Sequence, residues 1–244
     1  MNNKYYDEVA KDYEGFSNRR LNYINKINNL IIEHLNNNND NNSKLLDVGA
    51  GDGSRGFNLS KKLNIDNITM IEPSKELFKL CEKIDGITNI YNISCENISK
   101  KIVGDNFNIV ICLWNVLGHV GNTELRIKSL QNISNVLSDD GRIFLDVNNR
   151  HNSNSYGVLE VLKRKIIDGF NFKEERGDAF FTIKYNNQEF QMSGHLFIPK
   201  EMLNLIEKTN LEIEKVVSVD YNSGKVDNNL SKGQLFYVIK KRVK

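Results

Sequence analysis

Residues 45–53 read Leu45-Leu46-Asp47-Val48-Gly49-Ala50-Gly51-Asp52-Gly53. The stretch joins a short apolar run to three alternating glycines, and a predicted helix begins near Ser54. Glycines in a turn after a buried strand let the backbone bend sharply and approach a ligand closely. The helix that follows presents free N–H groups to an anion. This order of strand, turn and helix predicts an α/β fold with a ligand site at the glycine turn.

The segments after this turn repeat the same alternation of short apolar runs and helical periods, which is typical of βα units around a parallel sheet. Strands are predicted at Lys44–Val48, Ile68–Ile71, Thr88–Tyr91, Phe107–Leu113 and Arg142–Asn148. Helices are predicted to begin near Ser54, Ser74 and Thr123, with these side chains as N-caps.

The two ends of the chain have other patterns. Apolar residues at helical spacing predict an amphipathic N-terminal helix: Leu21, Ile24, Ile27, Leu30, Ile31 and Leu35. The asparagine-rich run from Asn36 to Asn42 is predicted to be a solvated loop. Strands at Phe180–Tyr185 and Glu189–Phe197 join at a turn, Asn186-Asn187. A helix follows Pro199, and an antiparallel pair is predicted from Leu211–Tyr221 and Gln234–Lys241.

The composition indicates one soluble α/β domain. A chain of 244 residues with 39% hydrophobic residues can bury one substantial core. The formal net charge of +2 gives no strong basic field for nucleic acid. The longest apolar run, from Ile109 to Trp114, is too short to span a bilayer, and the N-terminus is not signal-like, so we expect a cytoplasmic protein. Cys81, Cys95 and Cys112 form no metal-binding pattern and are expected to pack in the core.

The glycine pattern alone allows two cofactors. Gly51, Gly53 and Gly56 satisfy the G-x-G-x-x-G spacing of dinucleotide-binding folds, a weak signal by itself. Glu72 ends the second predicted strand, where a carboxylate can accept hydrogen bonds from ribose hydroxyls of either cofactor. Asp47 is the distinguishing residue, because it lies inside the strand, where it can engage a ligand's amino group.

The pattern Leu-Leu-Asp-Val-Gly-Ala-Gly-Asp-Gly at 45–53 closely resembles motif I of class I methyltransferases. Residues 94–97 resemble the segment that family members place against the adenine, although Ser94 replaces the usual acid. Residues 107–115 resemble motif IV but lack the sequences of amino-directed and cytosine-C5 nucleic-acid methyltransferases. The resemblance extends from Tyr5 to Asn148 and returns at 195–202.

This resemblance implies a Rossmann-like, seven-stranded, mostly parallel sheet with one antiparallel edge strand. It divides a single methyltransferase domain, 1–244, into a helical lid at 1–35, a cofactor-binding core at 44–148, a β-containing substrate cover at 150–195, and a last helix with a C-terminal hairpin at 196–244. Aromatic residues of the cover, among them Phe170 and Phe180, would either line an acceptor pocket or close a small core.

The resemblance also implies S-adenosylmethionine as cofactor. Its expected contacts are Tyr13, Arg19, Asp47, Gly49, Ala50, Gly51, Gly53, Glu72, Pro73, Ser94, Cys95, Glu96, Leu113, Trp114 and Asn115. Tyr13 and Arg19 would face the carboxylate of the cofactor, with plain helix packing as the alternative reading.

His119 is the candidate general base, because it follows the fourth strand at the sheet end where α/β folds bind ligands and because histidine titrates near neutral pH. Capping a helix is its alternative role. The expected acceptor contacts are Tyr6, His119, Asn148, Arg150, Tyr156 and His195. Arg150 would bind an anionic acceptor group. A structural role is favoured for His195.

These features predict an S-adenosylmethionine-dependent methyltransferase acting on N or O of a small-molecule acceptor. Three alternatives stay open: an RNA or protein methyltransferase, a nicotinamide-dependent oxidoreductase, and a noncatalytic S-adenosylmethionine-binding partner. We expect no metal, no nucleic acid and no membrane partner, and either a monomer or a homodimer.

Overall fold

The computed structural model describes residues 3–35, 43–104, 106–185 and 188–242. The chain begins with α1 (Asn3–Val9), a 3-10 turn (Ala10–Asp12), α2 (Tyr13–Asn18) and α3 (Leu21–Leu35). The predicted amphipathic helix is therefore confirmed as α3, which buries Ile27 and Ile31. The predicted loop at 36–42 and the turn at 186–187 lie outside the described residues.

A large sheet forms the centre of the molecule. Its strands are β1 (Lys44–Val48), β2 (Asn67–Ile71), β3 (Asn89–Tyr91), β4 (Phe107–Cys112) and β5 (Leu137–Val147), followed later in the chain by β8 (Leu211–Val219), β9 (Val226–Asp227) and β10 (Gln234–Lys241). Their spatial order is β3-β2-β1-β4-β5-β10-β8-β9. A separate antiparallel hairpin consists of β6 (Asp178–Tyr185) and β7 (Gln188–His195).

The strand directions confirm the mostly parallel, Rossmann-like sheet, but the predicted count of seven strands is wrong. β1 to β5 pair in parallel, whereas β10 runs antiparallel to both β5 and β8. The eighth strand is the two-residue β9, which forms the antiparallel edge against β8. Such a short strand carries no alternating pattern of its own, so periodicity could not reveal it.

The remaining helices are α4 (Ser54–Lys62), α5 (Lys75–Cys81), α6 (Lys100–Val103), α7 (Thr123–Val136), α8 (Ser153–Tyr156), α9 (Val158–Phe170) and α10 (Pro199–Glu207). Ser74 caps α5 as predicted, since its hydroxyl accepts from the Leu77 amide. The predicted caps Ser54 and Thr123 are each the first helical residue instead; the caps are Gly53 and Asn122.

Two apolar layers cover the sheet, one on each face. Successive strand residues point to opposite faces. Leu46 and Val110 pack with Leu130 of α7 and Leu205 of α10 on one face. The opposite face buries Leu45, Ile68, Ile109 and Phe144 against α3 and α4. The ends of the central strands therefore open between two fixed layers, where side chains after β1 and β4 can meet.

Residues 150–195 contain more helix than the predicted β-containing cover. The hairpin is present, but α8 and α9 precede it. Phe170 and Phe180 are exposed, so neither closes a small core. The three cysteines are buried as expected. Among the described residues, no helix combines the length and apolar character that a bilayer crossing needs.

Candidate functional site

The glycine turn after β1 has the conformation that the sequence predicts. Gly49, Gly51 and Gly53 all have positive φ, at 74°, 63° and 81°, where a Cβ is strained. The amides of Gly49 and Ala50 both donate to the Ile71 carbonyl, at 2.9 and 3.0 Å. These bonds fasten the turn to the end of β2. The N-cap of α4 is Gly53, and the Ser54 amide that follows it donates to Asp52 Oδ1 at 3.1 Å.

Glu72 is built into the same turn. Its Oε2 accepts from the Gly51 amide at 2.9 Å, and its Oε1 accepts from the Ser74 amide at 2.8 Å. Burial raises the pKa of Glu72 to about 7, although these two hydrogen bonds oppose that shift. Since an ionised carboxylate has about four acceptor positions, two remain for a ligand.

Asp47 is the second buried carboxylate of the site. Burial raises its pKa to about 7, and the nearby Arg55 guanidinium partly opposes the rise. A Cβ on Gly56 would lie only 2.0 Å from Asp47 Oδ2, so the helix α4 backbone passes directly against this carboxylate. The glycine at 56, which resembles the third glycine of a dinucleotide fingerprint, thus makes room for Asp47.

A cavity of about 650 Å³ lies at the carboxyl ends of the central strands. The glycine turn forms one wall, the N-terminal helices contribute Tyr5, Tyr6 and Tyr13, and the β6–β7 hairpin contributes Phe181 and Met192. The volume falls within the range of roughly 300–1,000 Å³ that is typical of small-molecule sites. The N-terminal helices and the β6–β7 hairpin meet at Tyr5, whose ring centroid lies 5.6 Å from that of Phe190.

The end of β4 supplies another wall through an uncommon backbone. Trp114 and Asn115 both have positive φ, at 66° and 61°, which is rare for residues other than glycine. The buried Asp146 holds this turn, because its Oδ1 accepts from the Asn115 amide at 2.8 Å. Asn115 Oδ1 in turn accepts from the Asn148 amide at 2.9 Å, so the ends of β4 and β5 are joined.

His119 lies in the cavity wall, on the 3-10 turn Val116–His119. Its Nε2 is 3.0 Å from the Tyr6 hydroxyl. Burial lowers the pKa of His119 below its ordinary value of 6.5, although a hydrogen bond with the Ser193 backbone opposes this shift. The ring is therefore neutral at pH 7. Burial also raises the pKa of Tyr6, which keeps its hydroxyl protonated.

Most of the predicted site residues line this cavity. They are Tyr6, Tyr13, Asp47, Gly49, Ala50, Gly51, Glu72, Pro73, Leu113, Trp114, Asn115, His119 and Asn148. The lining does not include Arg19, Gly53, Ser94, Cys95, Glu96, Arg150, Tyr156 or His195.

The residues outside the lining have other surroundings. Arg150 pairs with Asp168 at 3.1 Å. His195 is buried between the carboxylates of Asp178 and Glu201, with 2.7 Å to each. The Tyr156 ring lies under the Arg164 guanidinium instead.

The predicted adenine segment also lies apart from the cavity. The Cys95 thiol is buried in the apolar core, where it donates to the Ser129 hydroxyl at 3.2 Å. The Glu96 carbonyl accepts from the Asn132 amide. Arg19, at the end of α2, is exposed.

Sequence reasoning missed three residues of this region. Arg55 lines the cavity; its Nε donates to Asn28 Oδ1 at 3.0 Å, while its buried Nη2 has no hydrogen-bond partner among the described residues. Tyr221 lines the cavity and accepts from Trp114 Nε1 at 2.6 Å. Asp146 braces the Asn115 turn. The sequence could have indicated Arg55, because it lies two residues after Gly53 of the glycine turn. No sequence pattern points to Tyr221 or Asp146.

In comparisons with known proteins, one family model matches part of the chain, and many solved structures have a similar fold. A family model described as a methyltransferase domain matches residues 46–143. No curated protein matches the chain. Among solved structures, an S-adenosylmethionine-dependent methyltransferase from Clostridium acetobutylicum has a TM-score of 0.67 at 15% identity, covering 96% of this chain and 99% of that one.

Two further solved structures are those of sugar methyltransferases. An S-adenosylmethionine-bound amino pentose methyltransferase from Micromonospora echinaspora has a TM-score of 0.62 at 12% identity, covering 94% of this chain and 96% of that one. A sugar N-methyltransferase from a Streptoalloteichus species has a TM-score of 0.59 at 13% identity, covering 94% and 93%. At identities of 12–15%, the likeness to these structures shows the fold alone. The methyltransferase activity rests on the family model that matches residues 46–143. Residues 46–143 therefore match a methyltransferase domain, and the chain as a whole has the fold of S-adenosylmethionine-dependent methyltransferases.

Proposed function

We propose that this enzyme transfers a methyl group to a nitrogen or oxygen atom of a small-molecule acceptor. The observation that carries the proposal is the neutral imidazole of His119 in the wall of a covered cavity, 3.0 Å from the Tyr6 hydroxyl. The amino pentose and sugar methyltransferases of similar fold support an amino sugar or a related polar metabolite as the acceptor class.

The cavity residues fit two polar parts of the cofactor, its ribose and its amino-acid part. Glu72 has two free acceptor positions for ribose hydroxyls, and Asp47 offers a buried carboxylate to an ammonium group. The unpartnered Nη2 of Arg55 is suited to a carboxylate, because guanidinium–carboxylate hydrogen bonds are strong and directional. We therefore assign the amino-acid part of the cofactor to the wall between Asp47 and Arg55.

S-adenosylmethionine, when bound, supplies a methyl group on a positively charged sulfur. Transfer in line needs a nucleophile with a free electron pair, which an ammonium acceptor gains by losing a proton. A hydroxyl acceptor must lose its proton before or during the attack, because its product would otherwise be a cationic oxonium. His119 is the base we propose for that step. Its lowered pKa keeps Nε2 unprotonated at neutral pH, and the Tyr6 hydroxyl orients the ring by donating to that nitrogen until the acceptor replaces it.

The covering elements favour a small acceptor over RNA or protein. Tyr5 and Met192 are buried where the lid meets the hairpin, so a bulky chain would have to displace packed apolar side chains. The cavity polar groups, among them Asn148 and His119, instead suit a polar metabolite. We therefore propose that two parts of the single domain enclose the substrate, the helical lid at 1–35 and the substrate cover at 150–195.

The test is an acceptor screen on the whole chain. S-adenosylmethionine binding is first measured by calorimetry, and formation of S-adenosylhomocysteine is then followed with amino sugars, hydroxylated metabolites, bulk RNA and unfolded protein. We expect tight cofactor binding and turnover with members of the first two groups only. Cofactor binding with turnover on RNA or protein alone would refute the acceptor class, and absence of cofactor binding would refute the site itself.

A further inference from the structure

Helix α9 presents its apolar side to solvent. Its exposed apolar residues include Val158 at 66%, Leu159 at 83%, Leu162 at 54%, Ile166 at 52% and Phe170 at 90%. Residues four apart lie on one face of a helix. Val158, Leu162, Ile166 and Phe170 have that spacing, and Leu159 lies beside them, so these five form one continuous stripe, the α9 stripe.

The opposite side of α9 faces the protein and buries one apolar residue, Val161, and one charged residue, Asp168. Asp168 is buried and its Oδ2 lies 2.9 Å from His151 Nε2 and 3.1 Å from Arg150 Nε. Arg164 Nη1 donates to the Arg150 carbonyl at 3.1 Å. A surface helix of a globular protein ordinarily turns its apolar face inward. Here five apolar side chains face outward and only Val161 faces inward, which indicates that another apolar surface covers the α9 stripe.

The size of the stripe agrees with an interface. At the exposures given above, its five side chains present on the order of 600 Å² of apolar surface, the upper end of what a monomer leaves uncovered. A standard interface takes roughly 800 Å² from each partner. The exposed Lys163 and Lys165 border the stripe and extend it towards that area through their methylene chains.

The stripe is also complementary to itself. In an antiparallel pair of α9 helices centred on residue 164, Leu162 faces Ile166 of the other copy and Val158 faces Phe170, a small residue against a large one. Leu159 then faces Gly169, where a Cβ would meet no heavy atom within 4 Å. A two-fold interface requires such matching of one surface with itself.

From this geometry we infer that the α9 stripe is the interface between two copies of this chain, packed as antiparallel α9 helices about a two-fold axis. The assembly buries ten apolar side chains, five from each copy. Because Asp168 links α9 to Arg150 at the start of the cover, the interface also fixes one side of the substrate cover.

Sedimentation and light scattering of the full chain give the first test. We expect a mass twice the 28.1 kDa of the chain. The double variant Leu162→Asp, Phe170→Asp buries two charges in the interface, so its dimer dissociation constant should rise by at least about 100-fold. Leu203→Asp is the matched control, since Leu203 is a half-exposed leucine on α10, and it should remain dimeric. Circular dichroism checks that all variants fold.

Cysteine crosslinking tests the direction of the pair against a background of three buried native cysteines. In the antiparallel arrangement, a Val158→Cys chain mixed with a Phe170→Cys chain should form a disulfide dimer. Val158→Cys alone should not, because the two copies of residue 158 lie about 18 Å apart along the axis at 1.5 Å per residue. Efficient crosslinking of Val158→Cys with itself would overturn the antiparallel pairing.

Two outcomes would overturn the inference as a whole. One is a monomeric wild type at every concentration that remains in solution. The other is a monomer that floats with anionic phospholipid vesicles and loses this property on Leu162→Asp, Phe170→Asp substitution, since the stripe would then be a membrane-binding face bordered by lysines.

Discussion

The hydroxyl of Tyr6 and Nε2 of His119 lie 3.0 Å apart although 113 residues separate them in the chain. Their rings also meet edge to face, with centroids 5.7 Å apart. Tyr6 belongs to helix α1, whereas His119 follows the fourth strand of the sheet. The placement of α1 and the orientation of the imidazole thus depend on one contact.

The role of His119 predicts a loss of turnover without a loss of cofactor. His119→Asn removes the proposed base but keeps a polar side chain, and kcat should fall by about 100-fold while the Kd of S-adenosylmethionine stays within error. In the parent enzyme, kcat should also fall once the pH drops below the pKa of His119, which burial holds under its ordinary value, because the protonated ring cannot accept a proton. Equal rates in both proteins from pH 6 to 9 would remove His119 from the mechanism.

Tyr6→Phe separates orientation from proton transfer. The variant keeps the ring and its contacts with Tyr5 and His119 but loses one hydrogen bond, so kcat should fall only about 2- to 10-fold. The acid limb of the pH profile should remain, because His119 still titrates. A loss as large as that of His119→Asn would indicate that the Tyr6 hydroxyl itself handles the reacting proton.

Cofactor affinity should depend on pH through Asp47 and Glu72, whose pKa values are both raised to about 7 by burial. Their proposed partners are hydrogen-bond donors, which favour the ionised carboxylates. Binding should therefore release protons and tighten as pH rises from 6 to 8, by up to about tenfold per pH unit for each group below its pKa. Calorimetry in buffers of different ionisation enthalpy measures both quantities.

Substitution of Glu72 provides the control for this pH effect. Glu72→Gln removes one titrating group and should flatten the dependence to that of Asp47 alone, while Glu72→Ala should weaken binding by about ten- to a hundredfold. Asp66→Asn removes an exposed carboxylate that pairs with Lys61 outside the cavity, and it should leave the pH dependence intact. A flat profile in the parent protein would contradict the proposed ionic contacts.

The glycine turn could be predicted because its signals are local. The strand, the three positive-φ glycines and Glu72 at the end of β2 lie within 30 residues, and strand and turn conformations follow directly from residue type. Asp47 and His119 were likewise predictable, since both follow from their places at the carboxyl ends of strands.

Other parts of the site depend on contacts between distant segments. Asp146 binds the Tyr23 hydroxyl across 123 residues, and Trp114 binds Tyr221 across 107. No spacing in the sequence connects such pairs. The same limit applies to the partners of Arg150, which follows β5 and turns towards Asp168, and of His195, the last residue of β7, which is held by Glu201. A charged partner elsewhere in the chain decided their orientation.

Gly56→Ala should destabilise the protein although alanine favours helices. The new Cβ would lie 2.0 Å from Asp47 Oδ2, and Asp47 is buried in β1 with little room to move. We expect a loss of about 1–3 kcal/mol in the free energy of unfolding, measured by urea titration, together with weaker cofactor binding.

Gly121→Ala is the matched control for this substitution. The new Cβ at residue 121 would lie 3.7 Å from its nearest neighbour, Leu125 Cδ1, which is an ordinary van der Waals distance. Its unfolding free energy should change by less than about 0.5 kcal/mol. If Gly56→Ala proved equally neutral, the close approach of α4 to Asp47 would not be needed for stability.

Arg55 should recognise the amino-acid part of the cofactor rather than its nucleoside. Arg55→Gln removes the positive charge and the unpartnered Nη2, so affinity for S-adenosylhomocysteine should fall by about ten- to a hundredfold. Affinity for 5′-methylthioadenosine, which has no carboxylate, should barely change. Calorimetry with both ligands isolates the contribution of the amino-acid part, because the thioadenosine is common to the two.

Lys62→Gln tests whether any cation in the cavity would serve. Lys62 also lines the cavity but is exposed, so solvent screens its charge and its loss should change either affinity by less than about fivefold. Equal losses for both ligands in Arg55→Gln would instead show that Arg55 acts through its hydrogen bond to Asn28, by fixing α3 against α4. A selective loss for the carboxylate-bearing ligand distinguishes recognition from packing, because packing defects weaken both complexes alike.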